Sequence, residues 1–299
     1  MVHEYEVSLF QEFLTKAQEI KNDHPDKKLW YRGQNNADWQ LTPGIFRHAW
    51  AIADRFGNKY CRPIEPNFHR ADGDHLIMPN QWHLLKLFQN QAQLEGFVAP
   101  KNQIQWLEFA QHYGLPTLLL DWTTDPLVAL FFAVSGLDLS QVSDQAEGSI
   151  AVWMIDPVEI NRTLTKNDPV PLETIPNSVT DSDIIKELMD GNSGTICFTG
   201  TKSHPRICRQ SGNFTFTGTF PTFPLDFVSI YQPFTWKITI PYSRLTDIRE
   251  FLELCDLTEE SIYYEKSELD KHSARLTQVF TTDFIKRITE EATEAVPAR

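Results

Sequence analysis

The chain lacks long apolar runs, paired cysteines and an excess of positive charge, and each absence removes a class of protein. No stretch of its 299 residues reaches the roughly 18 apolar residues that span a bilayer as a helix. The opening, MVHEYEVSLFQEFLTKAQEI, carries acidic residues early and no apolar core segment, so it does not read as a secretory signal. Cys61, Cys197, Cys208 and Cys255 are scattered, without metal-ligand or redox spacing and without the density of a disulfide scaffold. They read as buried free thiols in a reducing cytoplasm. Lysine and arginine number 27 against 40 acidic residues, a formal charge of −13. That balance argues against an extended nucleic-acid surface, because gripping phosphate needs clustered cations. A local basic cleft stays open, and Lys202, His204, Arg206 and Arg209 are the residues concentrated enough to line it. The sequence shows no internal repeat and no low-complexity linker.

What is present is ordinary globular material, 41% hydrophobic and 22% charged, in a chain long enough to bury a sizeable core. Its most informative stretch is residues 111–134, QHYGLPTLLLDWTTDPLVALFFAV. Thr117-Leu118-Leu119-Leu120 has the continuous apolar character of a strand covered on both faces. Asp121-Trp122-Thr123-Thr124-Asp125 breaks the run as a polar turn. Pro126 suits the first turn of a helix, with Asp125 or Thr124 as N-cap. Residues 127–134 contain nothing polar, so that helix lies inside the protein. Asp121 and the threonines either only cap this helix or are presented to a ligand.

Further elements follow in order. Residues 4–21 show helical spacing at Val7, Phe10, Phe13, Leu14 and Ala17. Leu29-Trp30-Tyr31 opens a strand that ends at Arg32-Gly33-Gln34. There a glycine lets the backbone pass close to a ligand, and the arginine gives a planar grip on phosphate or carboxylate; a structural ion pair is the alternative. Between residues 35 and 47, Trp39, Leu41, Pro43, Ile45 and Phe46 read as packing residues, with Arg47 closing the segment. Residues 67–74 read as a polar loop. Residues 81–93 and 103–112 read as helices, the second stopped by Gly114. Residues 149–155 read as a buried strand, 161–180 as an insertion or long loop, 183–189 as a short helix and 194–203 as irregular. Arg206, Arg209 and Gln210 precede Gly212 and an alternating strand at residues 214–216. Residues 234–241 read as a half-exposed strand and 244–255 as an amphipathic helix. An acidic segment at 259–270 and a weakly patterned helix or tail at 273–290 complete the chain.

Three pieces then stand together: Trp30-Tyr31-Arg32-Gly33-Gln34; His112 to Thr117 continuing through Leu120-Asp121-Trp122-Thr123; and Arg206-Ile207 with Gln210-Ser211-Gly212-Asn213-Phe214. Their order and spacing resembles the FRG domain, over most of residues 25–270. The family pattern has an arginine after the threonine of the middle motif, where this chain has Leu118, so a contact from that arginine is missing or replaced. The arrangement also resembles, more distantly, the ADP-ribosyltransferases. That resemblance implies an α+β fold with a split, mostly antiparallel sheet and helical insertions. It further implies NAD as substrate, with a transferase or NAD glycohydrolase activity. By this resemblance Arg32 matches the arginine that holds the NAD pyrophosphate, and Thr123 and Thr124 match the run that fixes the nicotinamide ribose. Tyr31 or Trp122 would stack on the nicotinamide, with Gly33, Gln34, Asp121, Arg206 and Arg209 completing the cofactor surface. Where those enzymes place a glutamate, this chain has Gln210. Glu265 or Asp121 would then supply the carboxylate that stabilises an oxocarbenium-like state. The expected division is an N-terminal helix over 1–24, the FRG-like domain over 25–272 and a C-terminal helix or tail over 273–299.

Two other readings stand beside this one. His112, Asp121, Asp125 and Glu265 would serve a metal-dependent hydrolase or nuclease, though no pair has dedicated ligand spacing. Alternatively, Arg32, Arg206 and Arg209 would recognise a nucleotide or other anion without turnover. A macromolecular ADP-ribose acceptor, and a toxin or anti-phage role in the cytoplasm, would suit the NAD reading.

Overall fold

Branched and aromatic residues at strand positions build the centre of the molecule. In the computed structural model the described residues are 1–48, 50–51, 68–71, 76–79, 81–100, 103–137, 147–163, 194–200, 212–217, 224–262 and 268–278. Their strands are β1 (His3–Glu6), β2 (Trp30–Gln34), β3 (Trp50–Ala51), β4 (Phe68–Ala71), β5 (Leu76–Pro79), β6 (Leu119–Thr123), β7 (Ser149–Ile155), β8 (Thr195–Thr199), β9 (Gly212–Thr217) and β10 (Thr235–Pro241). The helices are α1 (Phe10–Asp23), α2 (Gln81–Leu94), α3 (Gln103–His112), α4 (Pro126–Val134), α5 (Pro157–Arg162), α6 (Leu245–Leu254), α7 (Glu259–Ile262) and α8 (Glu268–Thr277).

Seven strands form one open sheet in the order β1-β10-β7-β2-β6-β9-β8, and β3-β5-β4 form a second, small sheet. Every neighbouring pair in the large sheet is antiparallel except β1 with β10. The chain is therefore mixed α/β with a mostly antiparallel sheet, as the sequence implies. The pairing is uneven. β2 runs beside β7 over five residues, yet meets β6 at a single pair, Tyr31 with Thr123. The sheet consequently forks between β2 and β6.

Among the described residues, three apolar clusters hold the layers. Phe131, Val134 and Ala129 of α4 pack with Phe10 and Phe13 of α1, Ile248 and Leu252 of α6, and Val152, Met154 and Ile238 of the sheet. A second cluster joins Leu84, Leu85 and Phe88 of α2 and Leu107 and Phe109 of α3 to Leu119, Phe198, Phe214 and Phe216. Trp30, Leu120, Trp122, Trp153 and Ile155 form a third with Leu41, Leu225 and Tyr231. The large side chains in these clusters are almost wholly removed from water, the dominant favourable contribution to folding.

The structure corrects several local expectations. His3–Glu6 is a strand, with helix beginning only at Phe10. Pairing with β10 outweighs helical spacing there, and Glu12 caps the start of the helix by accepting from the amides of Ser8 and Leu9. Thr195–Thr199, within a stretch expected to be irregular, is a buried strand beside β9, as its β-branched and aromatic residues favour. Phe68–Ala71 is a strand rather than loop. Cys197 is buried but Cys255 is exposed, so the thiols are not uniformly inside; Cys61 and Cys208 lie outside the described residues. So do the expected helix at 183–189 and most of the expected loop at 161–180. No helix among the described residues is long and apolar enough to cross a membrane.

Candidate functional site

The fork between β2 and β6 opens a narrow recess. It is lined by Arg32 and Gly33 of β2, Asp121 and Thr123 of β6, His112 at the end of α3, Phe132 of α4 and Phe214 of β9, among others. Its volume is about 20 Å³, room for about one water-sized group.

Local sequence places each wall. Asp125 caps α4, its Oδ1 accepting from the amides of Leu127 and Val128 at 2.8 and 3.4 Å, and Pro126 fills the first helical position. Thr123 accepts the Asp125 amide at 3.0 Å and so fixes the corner between strand and helix. α4 then lies directly on β2. A Cβ on Gly33 would meet the Ala129 carbonyl oxygen at 1.9 Å and the Ala133 nitrogen at 2.5 Å. Gly33 thus serves the approach of a helix, where the sequence suggested the approach of a ligand. On the other wall, Gly114 at φ +81° ends α3 in the left-handed region, which leaves Gln111 and His112 facing β6 and β9.

Arg32 occupies the fork. Its Nη1 donates to the Asp121 backbone carbonyl at 2.8 Å and to Asp121 Oδ2 at 2.9 Å. Gln111 Nε2 donates to the other carboxylate oxygen at 2.8 Å. Gln111 is held in turn by the Thr117 hydroxyl, which donates to its Oε1 and accepts the Leu119 amide at 3.1 Å. The Arg32 side chain is 11% exposed and that of Asp121 is 46% exposed through the mouth of the recess. Burial by the surrounding walls pushes the Asp121 carboxyl up. Arg32, the Gln111 amide and the charge of Arg47 outweigh that and hold it at about 2. Asp121 is therefore an ionised carboxylate across the whole neutral range. Arg32 Nε is buried with no hydrogen-bond partner among the described residues, an unspent donor on a nearly buried cation.

Several expected site residues meet here. Arg32, Asp121, Trp122, Thr123, Tyr31 and Gly33 all border the recess. Asp121, Trp122 and Thr123 do so from a strand, where the sequence suggested a turn; β9 pairs with all three and extends the ladder past the apolar run. Trp122 is 2% exposed, and its indole N–H donates to Thr215 at 3.1 Å. Tyr31 is buried, which with the nearby Asp125 charge pushes its phenol up. Gln34 is not at the recess: its amide accepts from Trp153 at 2.8 Å and donates to the Gln40 carbonyl at 3.2 Å. Thr124 is exposed, and the cap is Asp125. Gln210, Arg206, Arg209 and Glu265 lie outside the described residues. His112 stands edge-on to Phe214 with ring centres 5.8 Å apart. Among the described residues no group of three or more His, Cys, Asp or Glu side chains gathers as a metal site.

Three residues of this region carried no functional signal in the sequence. Gln111 immediately precedes the His112 motif, and its contact with Asp121 spans ten residues of chain. Arg47, close enough for its charge to act on Arg32 and Asp121, stood at the end of a packing segment. Trp39 was expected to pack and is 51% exposed. Leu118, at the position where the family pattern has arginine, is a 2% exposed core residue.

No curated protein and no solved structure matches the chain. The third motif noted in the sequence, residues 206–214, lies outside residues 27–141. The chain matches the FRG domain family over residues 27–141, and that span holds Arg32, Arg47, Gln111, Asp121 and the capped helix α4.

Proposed function

We propose that the chain binds NAD at the fork between β2 and β6 and breaks its nicotinamide–ribose bond, passing ADP-ribose to an acceptor or to water. The observation that carries this reading is Arg32: a nearly buried guanidinium, tied through Nη1 to Asp121, with a buried donor left over. Together with Arg47 it sets two cations against one carboxylate, a local surplus that suits a pyrophosphate. The recess takes one small group, such as a phosphate oxygen, so the rest of the dinucleotide would lie outside it. In the reaction the C–N bond breaks, its electron pair leaves on the nicotinamide nitrogen, and the ribose carries oxocarbenium-like charge. Ionised Asp121 is a carboxylate suited to stabilise that charge. The acceptor's lone pair then forms the new bond as the acceptor gives up a proton. Gln210, Glu265, Arg206 and Arg209 keep the roles that the transferase resemblance implies for them.

A second reading has its own observation. Both Asp121 oxygens already hold a partner, Gln111 on one and Arg32 on the other. A carboxylate so engaged serves a binding module as well as an enzyme, and the site would then recognise a nucleotide without turning it over.

Incubation of the purified chain with NAD, with free nicotinamide followed by chromatography, tests the first reading. Steady release that disappears in Asp121→Asn supports it. Absence of release while NAD raises the melting temperature selects the binding module.

A further inference from the structure

Beside the fork, the loop between β2 and the 3-10 turn at Gly44–His48 borders an open groove of about 530 Å³. Asp38, Trp39, Gln40, Thr42 and Arg47 line it among the described residues. We propose that this groove is a nucleobase subsite, with the indole of Trp39 as the stacking face and Arg47 as the anchor for the phosphate that the base carries. The inference rests on the nucleotide reading for the phosphate end. For the ring it stands on the geometry of the loop.

The first observation is that Trp39 is held out, not loose. Asp38 N–H donates to the Asn36 side chain at 2.8 Å, and Trp39 N–H donates to the Asn36 carbonyl at 3.2 Å. Ala37 N–H reaches the Ser149 carbonyl at 2.8 Å. Past Trp39, the Gln40 carbonyl accepts from Gln34 and from Thr42 N–H. Leu41, fully buried, donates its N–H to Asp226 at 2.7 Å. Both flanks of Trp39 are thus pinned to the sheet and to neighbouring loops. Its side chain still leaves half its surface in water, in a concave place. A lone exposed apolar residue needs no explanation; a tryptophan on a fixed loop facing a groove beside a cation is a stacking platform.

The second observation is the disposition of Arg47. Its Nε donates to the Thr42 carbonyl at 3.0 Å, which fixes the guanidinium. Its Nη nitrogens carry no hydrogen bond or ion pair among the described residues. An arginine aimed this way offers a fork to a phosphate. Its charge also acts on Arg32 and Asp121, and the loop that carries the groove follows directly on β2, the strand of Arg32. The size contrast completes the assignment. The recess admits a single small group, whereas the groove has the volume of a base and sugar. Asp38, on the same rim, offers an acceptor for an exocyclic amino group.

The test is calorimetric titration of the full chain with AMP and, separately, with ribose 5-phosphate, which lacks the base. Trp39→Ala is expected to weaken AMP about tenfold or more, since stacking of one base on an aromatic side chain is of that order. Trp39→Phe restores most of the affinity, and ribose 5-phosphate binds wild type and Trp39→Ala alike. Equal AMP affinity in wild type and Trp39→Ala overturns the subsite, as does failure of wild type to bind AMP. Arg32→Gln separates this inference from the recess: AMP weakened by Trp39→Ala but untouched by Arg32→Gln leaves the groove standing without the recess. The converse pattern leaves the recess without the groove.

Discussion

Arg32 reaches Asp121 twice, at its backbone carbonyl and at its carboxylate, 2.8 and 2.9 Å away, across strands that share a single residue pair. The same side chain therefore closes the fork and faces the recess. Arg32→Ala should lower stability as well as binding, by about 1–2 kcal/mol, a charged hydrogen bond discounted for the exposure of Asp121. A denaturant titration checks this. An unchanged midpoint would show that the fork holds without Arg32. Stability and binding of this variant must therefore be measured side by side.

Gly33 is where α4 touches the sheet most closely. A methyl group there has only backbone to push against, at 1.9 and 2.5 Å, so neither strand nor helix yields cheaply. Gly33→Ala should destabilise by about 3 kcal/mol or more. If the variant melts within a degree or two of wild type, the close approach of α4 is wrong.

The Asp121 carboxyl is depressed from 3.8 to about 2. A depressed acid contributes stability above its unfolded value and loses it as pH falls through its folded one. Wild type should thus exceed Asp121→Asn in stability by a constant margin above about pH 5, with the margin closing from near 4 down to about 2. Thermal melts of both proteins across that range measure it. A margin that persists at pH 2 would mean the charge of Asp121 is not what Arg32 and Gln111 stabilise.

Asp125 satisfies two amides at the start of α4. Asp125→Ala should cost about 1 kcal/mol, the usual worth of an N-cap, and Asp125→Ser should recover most of it. Failure of the serine variant to recover stability would point to a role beyond the cap.

The sequence made some of this legible and hid the rest for identifiable reasons. The cap at Asp125, the buried run of α4 and the strand at Trp30–Gln34 depend on neighbouring residues, so pattern reveals them. Asp121–Thr123 looked like a turn because polar groups interrupt an apolar run; pairing with β9, some ninety residues later, keeps them extended. The strand Thr195–Thr199 escaped for the same reason, its partner being distant in sequence. Gln111 and Arg47 became site residues only when folding brought them to Asp121. Trp39 shows the opposite failure. Its hydrophobicity suggested packing, but the pinned loop on either side holds it in water. The arginine–glycine pair divides in the structure: the arginine borders the recess, while the glycine faces a helix.

The measurement that tests the central claim most directly is calorimetric titration of NAD into wild type and Arg32→Gln, each first shown by its melt to be folded at the working temperature. The account predicts one saturable site in wild type and at least a tenfold weaker one in the variant, since a buried, charged contact to phosphate is lost. Equal affinity in the two proteins, or no heat of binding in wild type, would contradict it.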